Sequence, residues 1–226
     1  MQNRSHAVMS QRTEAADSLD DFPTPPWATR ALIEHVISNF TSPNQSCLEP
    51  ACNRGFMANV LNEYFDCVTA SDIHDYGFGE VKNFLSGAYP SDSHDWVITN
   101  PPFKYAEDFL HEALQVSRIG VAMLARTVFL ESVGRYERLF SVNPPSIFAQ
   151  FSERVPMFKG RLDPKGSTAT GYAWFVWIKD HDQGPNLTWV PPCRRTLERD
   201  GDYEMEVRPM GSSINSSQRQ TNLFGD

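Results

Sequence analysis

The chain has 226 residues, 40% of them hydrophobic, which is enough for one ordinary domain with a real core. A net charge of −8 argues against a generally basic nucleic-acid binder, and no run approaches the ~20 apolar residues of a membrane span. Four cysteines (Cys47, Cys52, Cys67, Cys193) and six scattered histidines lack metal-ligand spacing, so no metal is expected and a reduced, cytoplasmic protein is the simplest reading.

Residues 1–20 are polar and aperiodic, which predicts a mobile arm and not a secretory signal. The folded part opens at Asp20-Asp21-Phe22-Pro23-Thr24-Pro25-Pro26-Trp27. Thr24 is a candidate helix cap with prolines in the first turn, and Ala28, Ala31, Leu32, Val36 and Ile37 predict a helix to about Phe40. A strand is expected at Ser46 to Pro50, then a helix carrying Phe56, Met57, Val60, Leu61 and Tyr64, then a strand from Cys67 to Asp72. Val81 to Leu85 is a weak element. Trp96 to Thr99 is a short buried strand that must stop at Pro101-Pro102, because proline donates no backbone hydrogen bond.

Further along, a helix is expected from Tyr105 to Ser117, a strand from Gly120 to Ala125, and a helix to about Phe140. Ile147 to Phe151 and Tyr172 to Ile178 read as strands, the second one central because it has no polar alternation. Lys179 to Arg199 looks irregular, Gly201 to Val207 suggests a late edge strand, and residues 210–226 read as a disordered tail. Strands alternating with helices predict an α/β fold with a mixed, mostly parallel sheet, flanking helices and a late antiparallel portion, over residues 21–209.

Three strand ends carry the candidate chemistry: Glu49-Pro50, Asp72 and Asn100-Pro101-Pro102-Phe103. Ligands of open α/β sheets bind beyond the carboxyl ends of strands. Gly55 lets backbone approach a ligand, and an acid such as Asp72 can accept from a ribose diol. An amide, a stiff turn and an aromatic ring suit a planar ring with an exocyclic amine. A capping role for Glu49 and a turn role for Asp72 remain equally open on the residues alone.

Taken together these motifs resemble the S-adenosylmethionine-dependent amino-methyltransferases of nucleic acid, most of all the DNA adenine-N6 methyltransferases of bacteriophages and prophages. The resemblance runs from about Asp21 to Lys179. Phe22-Pro23-Thr24-Pro25-Pro26-Trp27 resembles the family's cofactor-flanking motif. Leu48-Glu49-Pro50-Ala51-Cys52-Asn53-Arg54-Gly55 resembles its glycine-rich loop, with Asn53 in place of the first glycine. Ser71-Asp72-Ile73 resembles the ribose-binding strand end, and Asn83-Phe84-Leu85 stands where the family has Asp-Phe-Leu beside the cofactor adenine. Asn100-Pro101-Pro102-Phe103 matches the catalytic tetrapeptide. Ser152 to Phe158 and Ala173 to Trp177 are also similar to the phage group.

The resemblance implies a Rossmann-like fold and S-adenosylmethionine as cofactor, held by Thr24, Pro25, Trp27, Glu49, Pro50, Ala51, Asn53, Gly55, Asp72, Ile73, Asn83, Phe84 and Asn100. It implies methyl transfer to adenine N6 in DNA, the base flipped onto Phe103. Its alternatives are cytosine N4, an RNA base, a protein glutamine amide, or a non-catalytic accessory module. Residues 118–165 carry 8 Lys and Arg against 4 Asp and Glu, whereas residues 1–117 carry 6 against 16. Lys104, Arg154, Lys159, Arg161 and Lys165 are the candidate nucleic-acid contacts, the last three on a loop with glycines and a proline. Gln220, Leu223 and Phe224 resemble the peptide by which replication proteins bind the bacterial sliding clamp, a second partner beside DNA.

Overall fold

The structure is a computed structural model that describes residues 20–181 and 184–204. The expected arm before Asp20 and the expected 210–226 tail lie outside those residues. In chain order the elements are α1 (Pro26–His35), β1 (Ser46–Glu49), α2 (Phe56–Leu61), β2 (Cys67–Asp72), β3 (Glu80–Val81), β4 (His94–Thr99), α3 (Ala106–Val116), β5 (Ser117–Arg126), α4 (Val133–Arg135), β6 (Ile147–Phe151), β7 (Tyr172–Ile178), β8 (Asn186–Val190) and α5 (Arg194–Leu197). The strands form one sheet in the order β3-β2-β1-β4-β5-β7-β6-β8. Strands β1 to β5 are mutually parallel, and β7 lies antiparallel to both neighbours.

Both faces of the sheet are covered, which explains strands without polar alternation. The period of two sends Trp96, Ile98, Leu124, Trp174 and Val176 into one cluster with Trp27 and Leu32 of α1. Val97, Val121, Met123, Phe175 and Trp177 go to the other, against Phe109, Leu110 and Ala113 of α3. Helix α3 buries Ala106, Phe109, Leu110, Ala113 and Val116, a stripe at helical spacing. Its first-turn acids, Glu107 and Asp108, suit the positive end of the helix dipole. At the amino edge of the sheet Asp95 accepts from Arg118 and from Ser46; these partners, Arg118 foremost, hold its carboxyl at about 2.

Several expectations are corrected. Pro25, not Thr24, occupies the cap position of α1, with no side-chain cap bond; Thr24 is buried. The helix ends at His35, short of Phe40. Cys67 starts β2 but is exposed. Arg126 belongs to β5 and does not begin a loop. Beyond it the expected single helix is broken into a 3-10 turn (Thr127–Leu130), α4 and a π-helical turn (Tyr136–Phe140), because Ser132 takes a positive φ of 119°. The segment expected to be irregular holds β8 and α5. Strand β8 pairs parallel with β6 at the sheet edge, and its exposed Leu187 and Trp189 leave only a weak burial pattern. Residues 201–203 form turns, so the late edge strand is β8; Met205 to Val207 lie outside the described residues.

One buried ionic cluster ties distant parts together. Arg30 of α1 is 2% exposed and donates to Glu63 after α2, to the Leu197 carbonyl of α5 and to both oxygens of Asp202. A guanidinium with five fixed donors is suited to satisfying several acceptors at once where water is excluded.

Candidate active site

Parallel strands put their carboxyl ends on one edge. Residue Leu48 of β1 is level with Thr69 of β2 and Val97 of β4, so Glu49, Asp72 and Asn100 emerge side by side. They line a cavity of about 800 Å³, within the range of small-molecule sites. A second cavity of about 610 Å³ lies at the opposite edge, among Asn143, Trp177 and His181.

Glu49 is 2% exposed, and among the described residues its Oε2 has no hydrogen-bond partner. Burial, with the Asp72 charge adding to it, pushes its carboxyl well above the usual range despite a hydrogen bond from the Ala58 backbone. A buried carboxyl facing a cavity suits a ligand that brings a cation. Asp72 takes backbone N–H groups on both oxygens, from Asn53 (3.0 Å) and His74 (3.0 Å). Each oxygen keeps a further acceptor site, so a diol can still be bound.

Asn53 has φ of 50°, the left-handed conformation that asparagine tolerates. Its Oδ1 accepts from the Arg54 N–H, and its Nδ2 donates to Asp21 at 2.7 Å. Gly55 has φ of 83°, and an added Cβ would lie 2.5 Å from the Phe78 ring, so glycine is required there on both counts. Asn83 caps the turn at Phe84–Ser86, its Oδ1 accepting from the Leu85 N–H. That oxygen has one partner and keeps a second acceptor site. Phe84 is buried against Phe109, with ring centres 5.1 Å apart, and Ile73 stands exposed at the cavity.

The Asn100 amide is held in one sense. Its Nδ2 donates to the Phe22 carbonyl at 2.8 Å, and a carbonyl can only accept. Its Oδ1 is therefore turned the other way, buried and, among the described residues, without a partner. A buried acceptor left unpaired costs about 1–3 kcal/mol, so an N–H donor offered there is bound favourably. Phe103 N–H donates to the Asp20 carboxylate at 2.5 Å. Its ring has neighbours: the Arg126 guanidinium 4.0 Å from the ring centre and the Phe22 ring at 5.3 Å.

Thus Thr24, Glu49, Pro50, Ala51, Asn53, Asp72, Ile73, Asn83, Phe84, Asn100, Pro102, Phe103 and Lys104 line one cavity. Pro25, Trp27, Gly55 and Pro101 do not line the cavity. Trp27 is fully buried instead, edge-on to Phe151, because the first helical turn packs into the core. Lys159, Arg161 and Lys165 are exposed on a loop whose Gly160 N–H donates to the Asp21 carbonyl, and Arg154 is exposed nearby, beside Gly171. Gln220, Leu223 and Phe224 lie outside the described residues. Sequence reasoning missed Asp20, Asp21, Arg126 and the Phe22 carbonyl that orients Asn100. The acid pair before Phe22 and a lone arginine closing an apolar strand were the available signals.

Among the described residues no group of three or more His, Cys, Asp or Glu could hold a metal ion, and no helix is long and apolar enough to cross a membrane.

No family model and no curated protein matches the chain. Solved structures do, with a TM-score of 0.54 in three cases. One is a protein named as the modification subunit of a type I restriction enzyme from Vibrio vulnificus, 15% identical over 84% of this chain and 52% of that one. Another, named as an RNA methyltransferase, is from Pyrococcus horikoshii, 15% identical over 70% and 87%. The third is a type I restriction-modification methyltransferase subunit from Streptococcus thermophilus, 10% identical over 72% and 46%. The chain spans about half the length of the two restriction-modification subunits. At such identities the likeness establishes the fold alone, a Rossmann-like, mostly parallel α/β sheet with flanking helices.

Proposed function

We propose that this chain transfers a methyl group from S-adenosylmethionine to the N6 amine of adenine in DNA, as a phage-type enzyme with residues 21–209 as its catalytic domain. The observation that carries the reading is the buried, unpartnered Asn100 Oδ1 at the cavity, fixed by the Phe22 carbonyl and followed by two prolines and an aromatic ring. Neighbours named for DNA modification support the polymer, and the motif supports the base.

The residues present suit the cofactor. Glu49 offers a buried carboxyl to the methionine ammonium, Asp72 keeps acceptor sites for the ribose, and Ile73 and Phe84 supply apolar surface for an adenine ring. When bound, the cofactor supplies an electrophilic methyl group. The protein's part is to raise the nucleophilicity of an amine whose lone pair is delocalised into its ring. Asn100 Oδ1 accepts one N–H of that amine and draws the nitrogen toward tetrahedral geometry. No base is needed before attack, because the proton can leave afterwards.

Calorimetry should detect S-adenosylmethionine binding, and labelled methyl should enter duplex DNA in preference to RNA or protein offered in parallel. Incorporation into RNA alone would move the reading to the activity for which the Pyrococcus horikoshii neighbour is named. Absence of cofactor binding would leave an accessory module.

A further inference from the structure

Phe103 is the ring on which the proposed target base stacks, and a cation already lies over it. The Arg126 guanidinium carbon lies 4.0 Å from the Phe103 ring centre and 6.0 Å from that of Phe22, and the two rings are 5.3 Å apart with a 40° tilt. A base stacked on Phe103 needs roughly 3.5 Å of clear depth over the ring face. A base that takes the face covered by Arg126 must therefore displace it.

Phe22 is a poor candidate for leaving. It is 9% exposed, and its own carbonyl orients Asn100. Arg126 is half-buried, and among the described residues its Nε has no hydrogen-bond partner. It is the last residue of β5, paired in register with Tyr172, and its guanidinium donates to the buried Tyr172 hydroxyl, a hydrogen bond that displacement gives up. Its long side chain can swing without moving the strand. A guanidinium is also flat and delocalised, so it can fill a place in a stack as a ring would.

We propose that Arg126 is a placeholder for the target base: it stacks on Phe103 while the site is empty, keeps that ring in its receiving pose, and yields the face to the incoming base. This rests on the reading of Asn100 to Phe103 as an adenine site. Arg126 is thus a positioning residue that acts through Phe103.

The test uses the protein saturated with S-adenosylhomocysteine and two short thymidine oligonucleotides, one with a single central adenine and one with an abasic analogue there. The ratio of their affinities isolates the base, because phosphate contacts cancel. Arg126→Ala removes the competitor, and Arg126→Lys keeps the charge but loses the flat face. In both, the ratio should rise by about 2- to 5-fold, the usual strength of such a stack. Phe103→Ala should abolish the ratio with or without Arg126. A ratio unchanged or lowered in both Arg126 variants overturns the placeholder role. If the wild-type protein also transfers no methyl group to adenine, the underlying reading falls with it; if it does transfer, only the placeholder is lost.

Discussion

Two side chains carry the electrostatic character of the site, Asn100 and Glu49. Asn100→Ala deletes the acceptor aimed at the cavity and should lower methyl transfer by ~100-fold or more, with cofactor affinity less affected; kcat and calorimetry separate the two. Glu49 makes a prediction in pH. Its carboxyl is raised by burial and by Asp72, so the folded state holds its proton after the unfolded chain has released it. Stability from this group is full below the usual carboxylate range near 4.5 and declines as pH rises toward the raised folded value. Glu49→Gln cannot ionise. In the absence of ligand its melting temperature should therefore gain on the wild type by a few degrees between about pH 5 and pH 8. A constant difference across that range would contradict a buried protonated Glu49. The acceptor in Asn100 was legible from its motif. The Phe22 carbonyl that orients it was not, because that contact spans 78 residues of sequence and involves only backbone on one side.

Among the elements, strand ends do most of the positioning. Strands β1, β2 and β4 were legible because short apolar runs end in an acid or at a proline, and the parallel pairing of β1 with β2 follows from the intervening α2. Strand β8 was missed although Asn186-Leu187-Thr188-Trp189 alternates polar and apolar: the run is short, sits in a stretch rich in turn residues, and turns its apolar pair to solvent at the sheet edge. The break after β5 was hidden for another reason: apolar spacing continues through it, and only the backbone at Ser132 reverses. The loop carrying Lys159, Arg161 and Lys165 touches the Asp21 segment, which in turn binds Asn53 and Arg54. It therefore stands at the cavity rim on the cofactor-loop side, and its exposed cations suit phosphates. Reversing all three charges should weaken DNA binding at low salt. It should also flatten the salt dependence by roughly one unit of slope for each phosphate the loop no longer neutralises. Fluorescence titration at several ionic strengths would check this, and unchanged affinity would remove the loop from the interface.

Across the whole molecule, the two-faced sheet fixes the edge that carries the cavity, and an ionic clasp joins α1 to the segment after α5. Arg30 holds that clasp, reaching from α1 to Glu63 and to Asp202. Arg30→Ala would strand a buried Asp202, 4% exposed, and should destabilise the protein by about 3–5 kcal/mol in urea unfolding. Arg30→Ala with Asp202→Ala should recover part of that loss, since the stranded charge goes too. The fold's layering could be read from uninterrupted apolar strands such as Tyr172–Ile178. This clasp could not, because polar residues 172 positions apart give no local pattern. The central claim remains the reaction. It is tested most directly by digesting DNA from cells expressing the protein to nucleosides and measuring N6-methyladenine against an Asn100→Ala control. The account predicts N6-methyladenine with the wild-type chain and background levels with the variant. Equal amounts from both, or none from the wild type despite bound S-adenosylmethionine, would contradict it.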